Sequence, residues 1–287
     1  MNKIDMSVDL NGLKLKNPVT VASGTFGFGE EYAEFIDLNQ IGAISVKGLT
    51  LKPKEGNPPP RLYETPMGLL NSIGLQNPGV EVFIKKYIPY LRQFDTKIIA
   101  NINGANLEEY MEMARILDKE DVDSIELNIS CPNVKDGGLA FGTNPAVVRN
   151  IVTEIRNCTT KHLIVKLSPN VTDIKEIALI VEECGADAIS LINTVAGMAI
   201  DIEKQKAVVE RKVAGLSGPA VKPIARESKV EIVATGILLL CAKALAVVRP
   251  ILIPVKEPGP FETAIKSISS IVIFKLLNKF FIIGINF

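Results

Sequence analysis

Ser124-Ile125-Glu126-Leu127-Asn128-Ile129-Ser130-Cys131-Pro132-Asn133 sets a short apolar run against two amides, a hydroxyl and a thiol. The run from Ser124 to Ile129 has the length and composition of a buried strand. Pro132 lacks a ladder donor, so the strand should stop before it and leave Cys131 in a loop mouth. A buried strand that ends in hydrogen-bonding and reactive side chains is how α/β barrels present chemistry at one rim. Taken alone, the segment is equally compatible with a short buried strand carrying an inert thiol.

The neighbouring sequence repeats the pattern. Val19–Ala22, Ala43–Val46, Ile98–Asn101, Leu163–Lys166 and Ala188–Ile192 are further short apolar runs. Between them lie helical patterns at Leu107–Lys119, Pro145–Asn157 and Asp173–Cys184, with Asn106 and Thr172-Asp173 as N-caps and Gly185 as a C-terminal stop. Apolar strands without alternation, separated by helices, predict a parallel sheet covered on both faces. The six runs lead in turn into Ser23, Lys47, Asn101, Asn128, Lys166 and Asn193. Polar groups at six consecutive carboxyl ends suit a closed barrel, which gathers every such loop around one site. An open doubly wound sheet uses chiefly the loops at its switch point. The expectation is therefore a (β/α)8 TIM barrel, one domain over residues 1–287.

Composition narrows the partners. Lys plus Arg and Asp plus Glu both number 32 in 287 residues, so no charge excess points to nucleic acid or an anionic membrane. Cys131, Cys158, Cys184 and Cys241 are scattered without C-x-x-C spacing, so no zinc site or cysteine-held iron–sulfur cluster is readable and no metal is expected. A chain of this length does not need disulfides, and Met1–Leu10 carries charges where a signal peptide needs an apolar core, so a reducing cytoplasm is expected. Lysines and an asparagine interrupt the apolar stretches Ile237–Val248 and Ile268–Ile285, leaving neither with the roughly 20 clean residues of a membrane span. His162, the single histidine, sits beside Lys161 and is expected at the surface. The long connection Thr50–Asp95, rich in Pro and Gly, has the character of a pocket wall.

Lys47 and Lys166 each close an apolar strand. A buried lysine is costly unless it meets negative charge, so both should face an anionic partner. The alternative is a lysine that snorkels from a sheet edge.

Asn128-Ile129-Ser130-Cys131-Pro132-Asn133 resembles the matching segment of the class 1 dihydroorotate dehydrogenases, flavoenzymes of pyrimidine synthesis. Ala22-Ser23-Gly24, Phe26-Gly27-Phe28-Gly29, Val46-Lys47-Gly48-Leu49-Thr50, Asn193-Thr194 and Leu216-Ser217-Gly218-Pro219-Ala220 resemble further segments of that family. Gly56-Asn57-Pro58-Pro59-Pro60-Arg61 and Asn71-Ser72-Ile73-Gly74-Leu75-Gln76-Asn77-Pro78-Gly79 look like the NAD-linked subgroup, class 1B. The likeness runs in order over about residues 4–226.

The resemblance implies oxidation of dihydroorotate to orotate, with FMN taking the hydride and Cys131 removing the proton. It implies a substrate site formed by Lys47, Asn71, Ser72, Ile73, Gly74, Leu75, Asn128, Asn133, Asn193 and Thr194. It implies a flavin site formed by Ala22, Ser23, Gly24, Lys47, Gly48, Asn101, Asn128, Lys166, Ile192 and Gly218. These residue types suit that chemistry. Asparagine pairs a donor with an acceptor, as a urea-like ring edge requires, and a thiol with an ordinary pKa of about 8.5 can act as a base once its site favours the thiolate. The subgroup also implies a homodimer at the core of a heterotetramer, with FAD and an iron–sulfur cluster on the partner subunit.

From about Glu227 the likeness fades. The Gly-Gly and Gly-Thr turns that hold the flavin phosphate in the family have only Ile232–Ile237 and Ile282–Phe287 as reduced counterparts, and residues 227–287 are expected to form an atypical last part of the barrel. Ile271–Phe274 and Phe280–Ile283 look aggregation-prone if exposed. Two alternatives stay open. One is another FMN-dependent barrel reductase, similar to dihydropyrimidine dehydrogenase or to dihydrouridine synthase, although the latter should carry a basic face for RNA. The other is a catalytically impaired barrel scaffold, since two or three lost phosphate hydrogen bonds at roughly 1.5–3 kcal/mol each would weaken flavin retention.

Overall fold

The computed structural model of the protein describes residues 5–130 and 141–225, together with the backbone of 270–276 and 279–285. A small hairpin, β1 (Val8–Leu10) and β2 (Leu13–Leu15), precedes the first barrel strand, β3 (Val19–Val21). Next come β4 (Ala43–Ser45), the hairpin β5 (Leu62–Thr65) and β6 (Gly68–Asn71), and the barrel strands β7 (Lys97–Ile102), β8 (Ser124–Asn128), β9 (His162–Lys166) and β10 (Ala188–Leu191). Short strands follow as β11 (Val195–Gly197), β12 (Ile200–Asp201), β13 (Lys206–Ala207) and β14 (Ala214–Ser217), and the last pair is β15 (Ser270–Leu276) and β16 (Lys279–Ile285). The strand order β10-β16-β15-β3-β4-β7-β8-β9 closes on itself as an eight-stranded barrel.

Six of the eight strands match the apolar runs, and β3, β4, β7, β8, β9 and β10 are parallel wherever they pair with one another. Their backs meet amphipathic helices. Leu107–Asp118 buries Tyr110, Met113, Ala114 and Leu117, and Pro145–Cys158 buries Val148, Ile151, Val152 and Ile155. Ile174–Glu183 does the same with Ile174, Ile177, Ala178 and Val181. The spacing i, i+3, i+4, i+7 places each set on one stripe, and each large side chain removed from water contributes about 1.5–3 kcal/mol. The caps form as expected: Asn106 accepts from Glu109 N–H, Asp173 from Lys175 and Glu176 N–H, and Gly185 takes the left-handed φ of +88° that ends the third helix.

The barrel closes, and the last one or two units, expected to be irregular, contribute a hairpin to it. β16 runs parallel to β10, but β15 is antiparallel both to β16 and to β3. Only two residues separate β15 from β16, and a parallel return needs a dozen or more, so a hairpin is the sole geometry available. Of the apolar runs that looked aggregation-prone, Phe280–Ile283 is paired on both sides, and Ile271–Phe274 is paired with β16 throughout and with β3 at Ile271 and Val272. The other expected counterpart, Ile232–Ile237, lies outside the described residues.

The hairpin β1–β2 stoppers the floor. Leu10, Leu13 and Leu15 pack on Ala43, Ile99, Ile164 and Ala188, the lowest inward layer of four barrel strands. His162 joins this seal and is not the surface residue expected: it is half-buried, with Nε2 2.7 Å from the Leu10 carbonyl and Nδ1 3.0 Å from Ser124 Oγ. The adjacent Lys161 misled because the strand begins between them. Burial pushes the His162 imidazole below its ordinary pKa, against the pull of Asp187. Below about pH 6.5 the unfolded chain therefore binds a proton that the folded chain resists, and stability falls with acidity by up to about 1.4 kcal/mol per pH unit. In His162→Gln, the melting temperature should lose part of its slope between pH 5 and 6.5; an unchanged slope would clear His162 of that role. No helix among the described residues is long and apolar enough to cross a membrane.

Candidate active site

The carboxyl ends of β4, β7, β8, β9 and β10 meet at the rim opposite the stopper, and a second sheet rises beside them. It runs β11-β14-β6-β5, all antiparallel, and is built from the chain that leaves β4 and β10. Nothing in the composition of the Thr50–Asp95 connection announces this sheet. It carries Asn71, whose Nδ2 donates to Gly215 O at 3.3 Å, and it brings Thr194 close: a Cβ on Gly215 would stand 2.1 Å from Thr194 Oγ1. Gly215 has room for no side chain, and Asn71 and Thr194 flank it.

The loops on either side of β5–β6 are zipped together. Asn57 N–H donates to Ile73 O and Asn57 Nδ2 to Ser72 O at 2.7 Å, while Arg61 reaches Gln76 Oε1 at 2.6 Å. Gly74 and Leu75 both take left-handed backbone (φ +76° and +57°), and a Cβ on Gly74 would collide with Asn57. The carbonyls of Ile73 and Leu75 are engaged by Asn57 and Asn77.

Three cations face this space. Lys47 follows β4, and burial first, then the charges of Arg61 and Lys166, push its amine below the ordinary lysine pKa. None of the ion pairs among the described residues includes Lys47, Arg61 or Lys166. The turn Ser23-Gly24 approaches the same amine: a Cβ on Gly24, whose φ is +88°, would lie 3.7 Å from Lys47 Nζ. Cations that repel each other in a partly desolvated space create a demand for negative charge. Ser72 and Ser130 add buried hydroxyls with no hydrogen-bond partner among the described residues.

Below the lysines lies a connected set of amides. Asn193 Nδ2 donates to Asn128 Oδ1 at 3.0 Å, Asn128 Nδ2 to Asn103 Oδ1 at 2.8 Å, and Asn103 Nδ2 to Asn101 Oδ1 at 2.9 Å. Asn101 Nδ2 in turn donates to Glu126 Oε2 at 2.6 Å. Gly48 permits this arrangement, because a Cβ there would come within 2.4 Å of Asn103 Nδ2. Glu126, Asn103, Ser45 and Ser190 belong to the site although the motifs did not single them out. The available signal was Glu126 itself, an acid inside a strand buried on both faces.

Lys47, Ser72, Asn101, Asn128, Lys166, Asn193 and Thr194 thus occupy one end of the barrel. Gly218 has a separate explanation: with φ +107° it packs on Gly68, where a Cβ would stand 2.8 Å from the Gly68 Cα. Cys131, Asn133 and Ile232–Ile237 lie outside the described residues, and of the second reduced turn, Ile282–Phe287, the backbone of Ile282–Ile285 belongs to strand β16.

A stoppered barrel whose open rim gathers oriented amides and cations without an ion-pair partner among the described residues defines an α/β-barrel enzyme built for a small anionic ligand. A family model described as "Dihydroorotate dehydrogenase" matches residues 5–235, and the chain belongs to that family. A protein of Thermoanaerobacter sp. (strain X514), named dihydroorotate dehydrogenase B (NAD(+)), catalytic subunit, is 61% identical over 222 residues, which are 77% of this chain and 74% of that relative. Proteins of the same name from Alkaliphilus metalliredigens and Geotalea uraniireducens are 56% and 54% identical over 78% of the chain and 74% of each relative. Among solved structures, Eimeria tenella dihydroorotate dehydrogenase in complex with ferulenol superposes with a TM-score of 0.62 at 22% identity, covering 81% of this chain and 70% of the other, a likeness of fold. The family match ends at residue 235, close to where the motifs fade.

Proposed function

We propose that this chain is the catalytic subunit of an NAD-linked dihydroorotate dehydrogenase, oxidising dihydroorotate to orotate in pyrimidine synthesis. The observation that carries the proposal is the convergence of Lys47, Arg61 and Lys166, without acidic partners among the described residues, beside the amides of Asn128 and Asn193. The substrate is a planar, doubly amidic ring bearing one carboxylate. Its charge answers the demand of the cations, and its urea-like edge answers the asparagines.

The residues fit FMN as well. Gly24 leaves room beside Lys47, and Lys166 with Lys47 would face the electron-rich edge of an isoalloxazine, joined by Ala22, Ser23, Gly48, Asn101, Asn128, Ile192 and Gly218. When bound, FMN supplies the acceptor for the hydride that leaves one ring carbon. The chain supplies the remainder. Cys131, as thiolate, takes the proton from the neighbouring carbon on the face away from the flavin. Lys47 holds the carboxylate, and Asn71, Asn128, Asn133, Asn193 and Thr194, with Ser72 and the backbone N–H groups of Ile73, Gly74 and Leu75, fix the ring in register. Water excluded by that packing strengthens every one of these contacts.

The names of the relatives support a partner subunit, and we propose that it carries FAD and an iron–sulfur cluster and passes the electrons to NAD. We propose further that the whole chain acts as one FMN-binding unit, as a homodimer at the core of a heterotetramer, in the cytoplasm. Purified protein, reconstituted with FMN under argon, should lose its flavin absorbance when dihydroorotate is added. Flavin that stays oxidised would point to another barrel reductase, and a folded protein that takes up no flavin would point to a scaffold.

A further inference from the structure

The amides of Asn193, Asn128, Asn103 and Asn101 all point the same way, nitrogen toward the next residue's oxygen, and the last nitrogen ends on Glu126 Oε2. Glu126 is 3% exposed. Its Oε2 also accepts from Ser45 Oγ at 2.7 Å, and its Oε1 accepts from Ser190 Oγ at 2.7 Å. A carboxamide has nearly the same shape after its oxygen and nitrogen exchange places. A row of amides is therefore nearly as well satisfied with every dipole reversed, unless something at an end can only accept or only donate. A carboxylate can only accept.

We propose that Glu126 is a positioning residue that sets the polarity of this chain, and through it the atoms that Asn128 and Asn193 present to the pyrimidine ring. This rests on the function proposed above. At the far end two backbone donors require the same sense: Ser130 N–H reaches Asn128 Oδ1 at 3.1 Å and Thr194 N–H reaches Asn193 Oδ1 at 2.8 Å. The chain is thus held from both ends, by the Glu126 carboxyl group at one and by two backbone N–H groups at the other. A neutral amide in place of Glu126 can donate to Asn101, turn Asn101 and Asn103 around, and set a donor against the Asn128 nitrogen. The substrate-reading pair then loses its fixed orientation, while the base on the other side of the ring is untouched. The expected signature is a loss of affinity larger than any loss of rate at saturation.

A relocated charge tests this. In E126Q, the Kd for orotate, read from the flavin absorbance, should rise about tenfold or more, with a smaller change in the rate of flavin reduction at saturating dihydroorotate. In E126Q/N103D the acceptor-only group has moved along the chain, past Asn101. The carboxylate introduced at position 103 can receive both the Asn128 nitrogen, as the Asn103 oxygen does now, and the nitrogen of a turned Asn101. The oxygen of that turned Asn101 then meets the amide nitrogen introduced at position 126. Orotate affinity should return to within about threefold of the wild type. A role for Glu126 in packing alone cannot be rescued by an acid at another position. An E126Q protein that binds orotate like the wild type overturns the proposal. So does a double variant no better than E126Q in folding and in binding. A wild-type protein that holds flavin but ignores orotate would end the functional proposal first, and this one with it, before any variant is compared.

Discussion

Cys131→Ala should yield a folded protein that holds flavin and binds orotate, yet is reduced by dihydroorotate about a hundred to ten thousand times more slowly than the wild type. The factor is what a positioned general base contributes. Cys131 follows Asn128 by three residues, and the backbone before it is fixed by the Ser130 N–H bond to Asn128 Oδ1. The proton acceptor we propose is thus tethered to the residue that reads the ring. Only the thiolate can accept, so the wild-type reduction rate should climb with pH through the thiol's pKa, and the alanine variant should lose that climb. Stopped-flow reduction without oxygen measures both. A variant within about threefold of the wild type at every pH would remove Cys131 from the chemistry and leave the remaining site intact.

Lys47→Met should weaken orotate binding by about 10- to 150-fold, the worth of one charge-assisted hydrogen bond at roughly 1.5–3 kcal/mol. The pH dependence gives a sharper readout. Burial, then Arg61 and Lys166, lower the pKa of the Lys47 amine from its ordinary 10.5, so the free protein sheds this proton at a lower pH than a solvated lysine would. Binding an anion restores the proton. Orotate affinity should therefore fall as pH rises through the lowered value, and the slope should be absent in the methionine variant, which titrates nothing there. Titration calorimetry in two buffers of different ionisation heat would show the linked proton. Equal proton uptake by the two proteins would assign the linkage to another group.

Much of the fold could be read from six apolar runs and their polar exits, because a strand buried on both faces needs no partner to announce itself. The caps at Asn106 and Asp173 were equally local. The reversed strand escaped because the residues beyond Glu227, expected to form an atypical last part of the barrel, carry no βα pattern that sets a strand direction; it is the two residues between Leu276 and Lys279 that dictate the hairpin. The upper sheet left no local trace: Leu62–Thr65 is largely exposed, and Gly68–Asn71 acquires its meaning from Gly215–Ser217, some 145 positions later. Lys47 and Lys166 were legible from the cost of burying an amine. Glu126 should have been legible by the same reasoning, but it was absorbed into the strand that carries it.

The floor seal also sets an order of events. His162 meets Leu10 across 152 positions, and Asn11 reaches Asp187 across 176. On a ribosome, Leu10, Leu13 and Leu15 emerge well before Ile164 and Ala188, and the layer they cover is complete only when about two thirds of the chain has followed. The β1–β2 hairpin is thus synthesised well before the contacts that seal it are complete, and until then its leucines stay exposed to water.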